Sequence, residues 1–105
     1  MKSTGELPMF QAIWQVRPHK CWVCGKMIQL FSPMNFHHVL TKAAYPAYRL
    51  FDKNIVILCN GCHAHAHEKA QSDLIKNQLW AKYFDLRDSL KIAYYQGHET
   101  NHRTV

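Results

Sequence analysis

Two Cys-x2-Cys pairs and a set of closely spaced histidines carry most of the chemistry available to this chain. Cys21 and Cys24 lie in the run Cys21-Trp22-Val23-Cys24-Gly25, and Cys59 and Cys62 in the run Cys59-Asn60-Gly61-Cys62-His63, which accounts for all four cysteines. Four thiolates at this spacing close a tetrahedral shell around zinc and leave no position for a substrate, so such a site stabilises a fold without reacting. The knuckle spacing, with a glycine after the first pair, favours zinc over disulfides or free thiols. His19, two residues before Cys21, is read as a solvated surface residue rather than a ligand.

His63 and His67 stand at i and i+4 beside the second knuckle, so on a helix both project from one face and can meet a single metal ion. His65 points to the opposite side and is a poor third ligand. His37 and His38 are adjacent in a β-prone run, and neighbouring side chains of a regular strand face opposite ways. A bulge, or the start of the strand, must turn one of them if both are to enter one site.

The elements that position these residues follow from pattern. With 105 residues the chain is one domain, 1–105, and a core this small benefits from a metal staple. Leu7 to Val16 is apolar and aromatic, and reads as a short helix with Pro8 at its first position, packed on the zinc-bound core. Asn35 to Leu40 and Asn54 to Leu58 read as strands joined by a longer segment, Thr41 to Lys53. From Asn60, a plausible N-cap, the pattern is helical. Ile75, Leu79, Tyr83, Leu86 and Leu90 mark an amphipathic helix over about 72–95. Gly97 is expected to end it, leaving 97–105 as a polar, disordered tail, while Met1 to Gly5 is expected to fray. The core then spans 17–70 in an α+β fold.

The formal charge is +6, and between Arg17 and Lys53 six Lys or Arg residues face Asp52 alone. A polyanion is the expected partner, held through phosphates with an affinity that weakens as salt rises. Met1 to Gln15 lacks the basic start and apolar run of a secretory signal, and no stretch approaches membrane-spanning length. The expectation is a soluble protein in a reducing cytoplasm, with no membrane partner. Asp52 and Glu68 are isolated, which argues against a carboxylate two-metal site. The four glycines, at 5, 25, 61 and 97, form no phosphate-cradling loop. With its cysteines allotted to zinc, the chain has no thiol nucleophile.

The order Cys21-x2-Cys24, His37-His38, Asn54 within Asn54-Ile55-Val56-Ile57-Leu58, then Cys59-x2-Cys62-His63 and His67 resembles the HNH, or ββα-metal (His-Me finger), endonuclease family in its four-cysteine, phage and bacterial form. The match covers Cys21 to His67. The resemblance implies a small ββα-metal fold and metal-dependent hydrolysis of DNA phosphodiester bonds. His38 would be the general base, Asn54 would hold the loop that carries it, and His37, His63 and His67 would ligate a catalytic divalent metal. Many members have Asp where this chain has His37. Imidazoles suit zinc, nickel and other transition ions whereas magnesium prefers oxygen, so the metal stays open among magnesium, manganese, nickel and zinc. Arg49 and Lys42, in the inter-strand segment, are the candidates for gripping phosphate. The resemblance places such a protein in a bacterial or phage-infected cell. The competing reading is a noncatalytic zinc module that binds nucleic acid through its basic face. The aromatic helix that contains Trp80, Tyr83 and Phe84 would pack on the core or on a second copy of the chain.

Overall fold

β1 (Phe36–His38) and β2 (Ile55–Ile57) pair antiparallel, with Phe36 opposite Ile57, His37 opposite Val56 and His38 opposite Ile55. The register is regular, so the alternation of a pleated strand divides the molecule into two apolar clusters. The structure is a computed structural model and describes residues 5–69 and 71–104. The elements run α1 (Glu6–Val16), β1, β2, α2 (Asn60–Glu68), α3 (Gln71–Leu74) and α4 (Ala81–Thr104), with short 3-10 turns at Pro33–Asn35, Pro46–Tyr48, Asp52–Asn54 and Gln78–Trp80. It is a small mixed helix and sheet protein with a four-cysteine cluster.

On one face of the hairpin, Val56 joins Val39, Leu40, Leu58, the buried cysteines Cys21, Cys59 and Cys62, and the aromatic residues Trp80, Tyr83 and Phe84. On the other, Phe36, Ile55 and Ile57 pack with Phe10 and Ile13 of α1, and the Phe10 and Phe36 rings stack at 4.8 Å. The N-terminal helix therefore covers the side of the hairpin away from the cysteine cluster, instead of packing on it directly. It begins at Glu6, which puts Pro8 third. That position is still in the first turn, where a missing N–H costs no intrahelical bond. Gly5 precedes it with φ 82°, in the left-handed region. The expected fraying of Met1 to Gly5 otherwise falls on residues 1–4, outside the described part.

The single amphipathic helix expected over 72–95 is not formed. Asn77 adopts extended backbone and its side chain accepts a hydrogen bond from Leu79 N, so it stops α3 and caps the Gln78–Trp80 turn that leads into α4. That restart shifts the helical phase. Ile75 and Leu79 are exposed, at 58% and 57%, while Leu74, Trp80, Phe84 and Tyr94 join Tyr83 and Leu90 in the core. Nor does the helix end at Gly97, which is not among the glycines of positive φ and so forms no left-handed cap. α4 continues to Thr104, and residues 98–104 of the expected polar tail are helical in backbone. Val105 lies outside the described residues. Among those described, no helix is long and apolar enough to cross a membrane.

Candidate metal centres and the histidine cavity

The two knuckles meet. Cys21, Cys24, Cys59 and Cys62 each offer a sulfur, all within 4.8 Å of one another. Each knuckle turns its backbone toward its own first sulfur, with Cys24 N–H donating to Cys21 Sγ at 3.4 Å and Cys62 N–H to Cys59 Sγ at 3.5 Å. Gly25 follows the first pair with φ 80°, a conformation that a side chain would strain. Cys59 is also the N-cap of α2, so the second knuckle and the helix start are one structure. Zinc with Zn–S bonds of about 2.3 Å holds tetrahedral sulfurs about 3.8 Å apart. Cys24 Sγ lies 3.7 Å from Cys59 Sγ, too far for a disulfide and right for a shared ion.

The thiol acidities show the same crowding. Burial would raise Cys21, but N–H donors from Cys24, Cys59 and Val23 bring it down to about 7. Burial and the neighbouring sulfurs push Cys62 strongly up. Four thiolates do not share so small a space without a cation, and the group could hold a metal ion such as zinc in that role.

Beside the knuckles, α2 carries His63 and His67 on one face, one turn apart, with Nε2 to Nε2 at 3.0 Å. Their rings meet His37 of β1, whose ring centroid lies 5.2 Å from each. Each of the three offers a nitrogen within 4.8 Å of the others, a set that could hold a metal ion. Ring nitrogens about 2.1 Å from an ion sit roughly 3.0–3.4 Å apart, and the His63–His67 spacing fits the short end. Burial first, then the nearby His63, His67 and His38, pull the His37 pKa down to about 3, and burial followed by His67 lowers His63. His37 is therefore neutral at pH 7, the form a metal requires. His37 Nε2 is hydrogen bonded to the Tyr83 hydroxyl at 2.8 Å, and burial keeps that phenol protonated by raising its pKa to about 12. A partner of this kind fixes a ligand ring and its tautomer. His65 is not part of the group.

A cavity of about 340 Å³ opens in front of these rings, bordered by His37, His63, His67, Tyr83, His38 and Lys42. His38 borders it from the other face of β1. No bulge turns it toward the three rings. Its Nε2 instead lies 2.9 Å from the Arg49 carbonyl and 3.4 Å from Glu6 Oε2. A carbonyl can only accept, so the neutral ring carries its proton on Nε2 and leaves the Nδ1 lone pair available. Burial depresses His38, against the Arg49 carbonyl and Glu6, which favour its protonated form.

Asn54 lies at the end of the Asp52–Asn54 turn, fully buried. Its Oδ1 accepts from Leu40 N at 2.8 Å, and its Nδ2 donates to Leu40 O at 3.0 Å and Tyr48 O at 3.3 Å. One side chain thus satisfies both backbone groups of Leu40 and ties the segment after β1 to the Pro46–Tyr48 turn.

Lys42 and Arg49 do converge, but on a carboxylate that no local pattern places there. Lys42 Nζ lies 3.2 Å from Glu6 Oε2 and Arg49 3.3 Å from Glu6 Oε1. Burial would raise Glu6, yet these two cations hold it below its ordinary value. Tyr83 was legible only as part of an apolar helix face, and nothing local links Glu6 to residues 36 and 43 positions away. Compared with models of protein families, with curated proteins and with solved structures, the chain matches none.

Proposed function

We propose that this protein is a metal-dependent endonuclease of the HNH type that hydrolyses DNA phosphodiester bonds, with β1, β2 and α2 as its ββα-metal unit. The observation that carries the reading is the convergence of His37, His63 and His67 on one small volume, with His38 and its Asn54-clamped segment at the border of the same cavity. His37, His63 and His67 would hold the divalent metal. Bound there, it supplies positive charge to the scissile phosphate and to the departing oxygen.

The chain's own residues do the rest. His38 takes a proton from water at Nδ1 while its Nε2–H stays on the Arg49 carbonyl. Glu6, 3.4 Å from the same ring, favours the imidazolium so formed. Tyr83 fixes the His37 ring. Asn54 keeps the residues after His38 from drifting. Lys42 and Arg49 contribute positive charge at the cavity rim, tempered by Glu6, and recognise the phosphate backbone rather than base identity.

One observation favours a noncatalytic DNA-binding zinc module instead: β1 is regular, so His38 faces the α1 side of the strand and not the three clustered imidazoles. Incubation of supercoiled plasmid with the purified protein and magnesium, manganese, nickel or zinc decides between them, with EDTA and His38→Ala as controls. Metal-dependent nicking that disappears in His38→Ala is the expected result. Intact plasmid with salt-sensitive binding would replace the nuclease by the binding module.

A further inference from the structure

A second cavity, of about 270 Å³, lies against the first knuckle and shares no lining residue with the histidine cavity. Arg17, Lys20 and Lys82 line it, with Trp22, Val23 and Gly25 among its remaining walls, the knuckle cysteines Cys21 and Cys24 also lining it, and no carboxylate. The Lys82 ammonium lies 4.7 Å from the centre of the Trp22 ring, so cation and aromatic surface face the same space. Trp22 and Arg17 are held by the fold. Trp22 sits between the two cysteines of a knuckle, and its backbone N–H donates to the Ile57 carbonyl at 2.7 Å. Arg17 is fixed by donating to the carbonyls of Ile55 and Asp52.

Lys82 occupies the first turn of α4, and no acidic residue shares that turn. The partial positive charge of a helix N-terminus disfavours a lysine there, and an anion beside it reverses the penalty. The cavity is near the lower end of the roughly 300–1,000 Å³ of small-ligand sites, so it suits one flat group and its charge and not a duplex. An aromatic platform among cations is the arrangement by which single strands are held, the ring taking a base and the cations its phosphates.

We propose that the knuckle cavity binds one unpaired nucleotide of a polynucleotide strand, with its base against Trp22 and its phosphate between Lys82 and Lys20. This goes beyond the nuclease reading and does not depend on it. The site would give the protein a preference for strands with unpaired segments over blunt duplex.

The test is binding of the full chain, zinc-loaded and without added divalent metal, to a fluorescent oligothymidylate and to a blunt duplex of equal length. Trp22→Ala and Lys82→Ala are compared with wild type, with circular dichroism and zinc content confirming the fold. Trp22→Phe, which keeps a stacking face, guards against a purely structural loss. The expected result is about tenfold weaker single-strand binding for Trp22→Ala, the scale of one base stack, with most of it retained in Trp22→Phe. Lys82→Ala is expected to lower the slope of log affinity against log salt by about 0.7, one single-strand phosphate contact. Duplex binding changes little in all three. Equal loss on duplex and single strand, or wild-type binding by both alanine variants, overturns the proposal. Displacement by thymidine monophosphate at concentrations matching the strand's own affinity also overturns it, in favour of a free-nucleotide site. Absence of plasmid nicking alongside these binding losses would remove the nuclease reading and leave this one standing.

Discussion

Asn54→Ala is the substitution whose cost can be worked most directly from the structure. The side chain is fully buried and makes three hydrogen bonds, two to the backbone of Leu40 and one to the carbonyl of Tyr48. Alanine removes all three. Leu40 is itself buried, so its N–H and carbonyl lose a partner where water does not readily replace it. Each orphaned group costs about 1–3 kcal/mol, and the 3.3 Å contact to Tyr48 adds little. A total near 3 kcal/mol is a large share of the ~5–15 kcal/mol that holds a domain together. For a domain of this size it corresponds to a melting point lower by roughly 12–24 °C. Urea denaturation and calorimetry measure it at the same saturating zinc concentration for both proteins, because partial occupancy would mix metal loss with unfolding. A loss below about 1 kcal/mol would refute the assignment of Asn54 as the clamp of the segment after β1. The isosteric Asn54→Asp variant sharpens the test. It keeps an acceptor for Leu40 N but turns a carboxylate oxygen toward the two carbonyls, so it is expected to be at least as damaging.

Cys59→Ser removes one of the four clustered sulfurs, the one that also caps α2, and is expected to lose zinc and the cooperative melting transition together. A zinc-free but folded protein by circular dichroism would contradict this. His63→Ala is expected to abolish binding of a second divalent ion while one zinc stays on the cysteines; two ions per chain by elemental analysis would remove His63 as a ligand. Glu6→Gln is expected to lower stability at pH 7 by at most about 1 kcal/mol. The folded-state pKa of Glu6 lies below its unfolded value, so its contribution is present above the unfolded pKa and disappears as pH falls through the folded one. Thermal melts should therefore separate the two proteins at pH 7 and bring them together in strong acid. A gap that persists at the lowest pH would mean that the carboxylate charge is not what Glu6 contributes.

The parts of this molecule that the sequence made legible are those fixed over short distances. Cys-x2-Cys spacing is a local property, and both knuckles form and meet. His63 and His67 share a helix face because the helix period places them there, and the alternation of β1 separates His37 from His38 as a regular strand must. What was not legible depends on tertiary context. Asn77 outweighs the 3.6-residue pattern around it by offering Leu79 N a cap, which leaves Ile75 and Leu79 in solvent. Gly97 reads as a stop only if the following chain turns left-handed, and here it does not. Glu6 meets His38, Lys42 and Arg49 because α1 lies across the far face of the hairpin, a placement that hydrophobic pattern alone does not distinguish from packing on the cysteine side.

That placement gives the short hairpin a particular role. Three residue pairs separate one cluster, built on α1, from another built on the cysteines, and each histidine of β1 belongs to a different side. α2 is capped by Cys59, carries Cys62 in its first turn, and presents His63 and His67 from the same short helix. The cysteine cluster must therefore be intact for the histidine cluster to exist, whereas nothing in the knuckles requires an ion on the imidazoles. The dependence runs one way. A thiolate site closed to solvent ligands holds its metal as part of folding, and a three-imidazole site facing a cavity holds its metal as a ligand. On the proposed reading, the chain would keep one ion for its shape and exchange another at the histidine cavity.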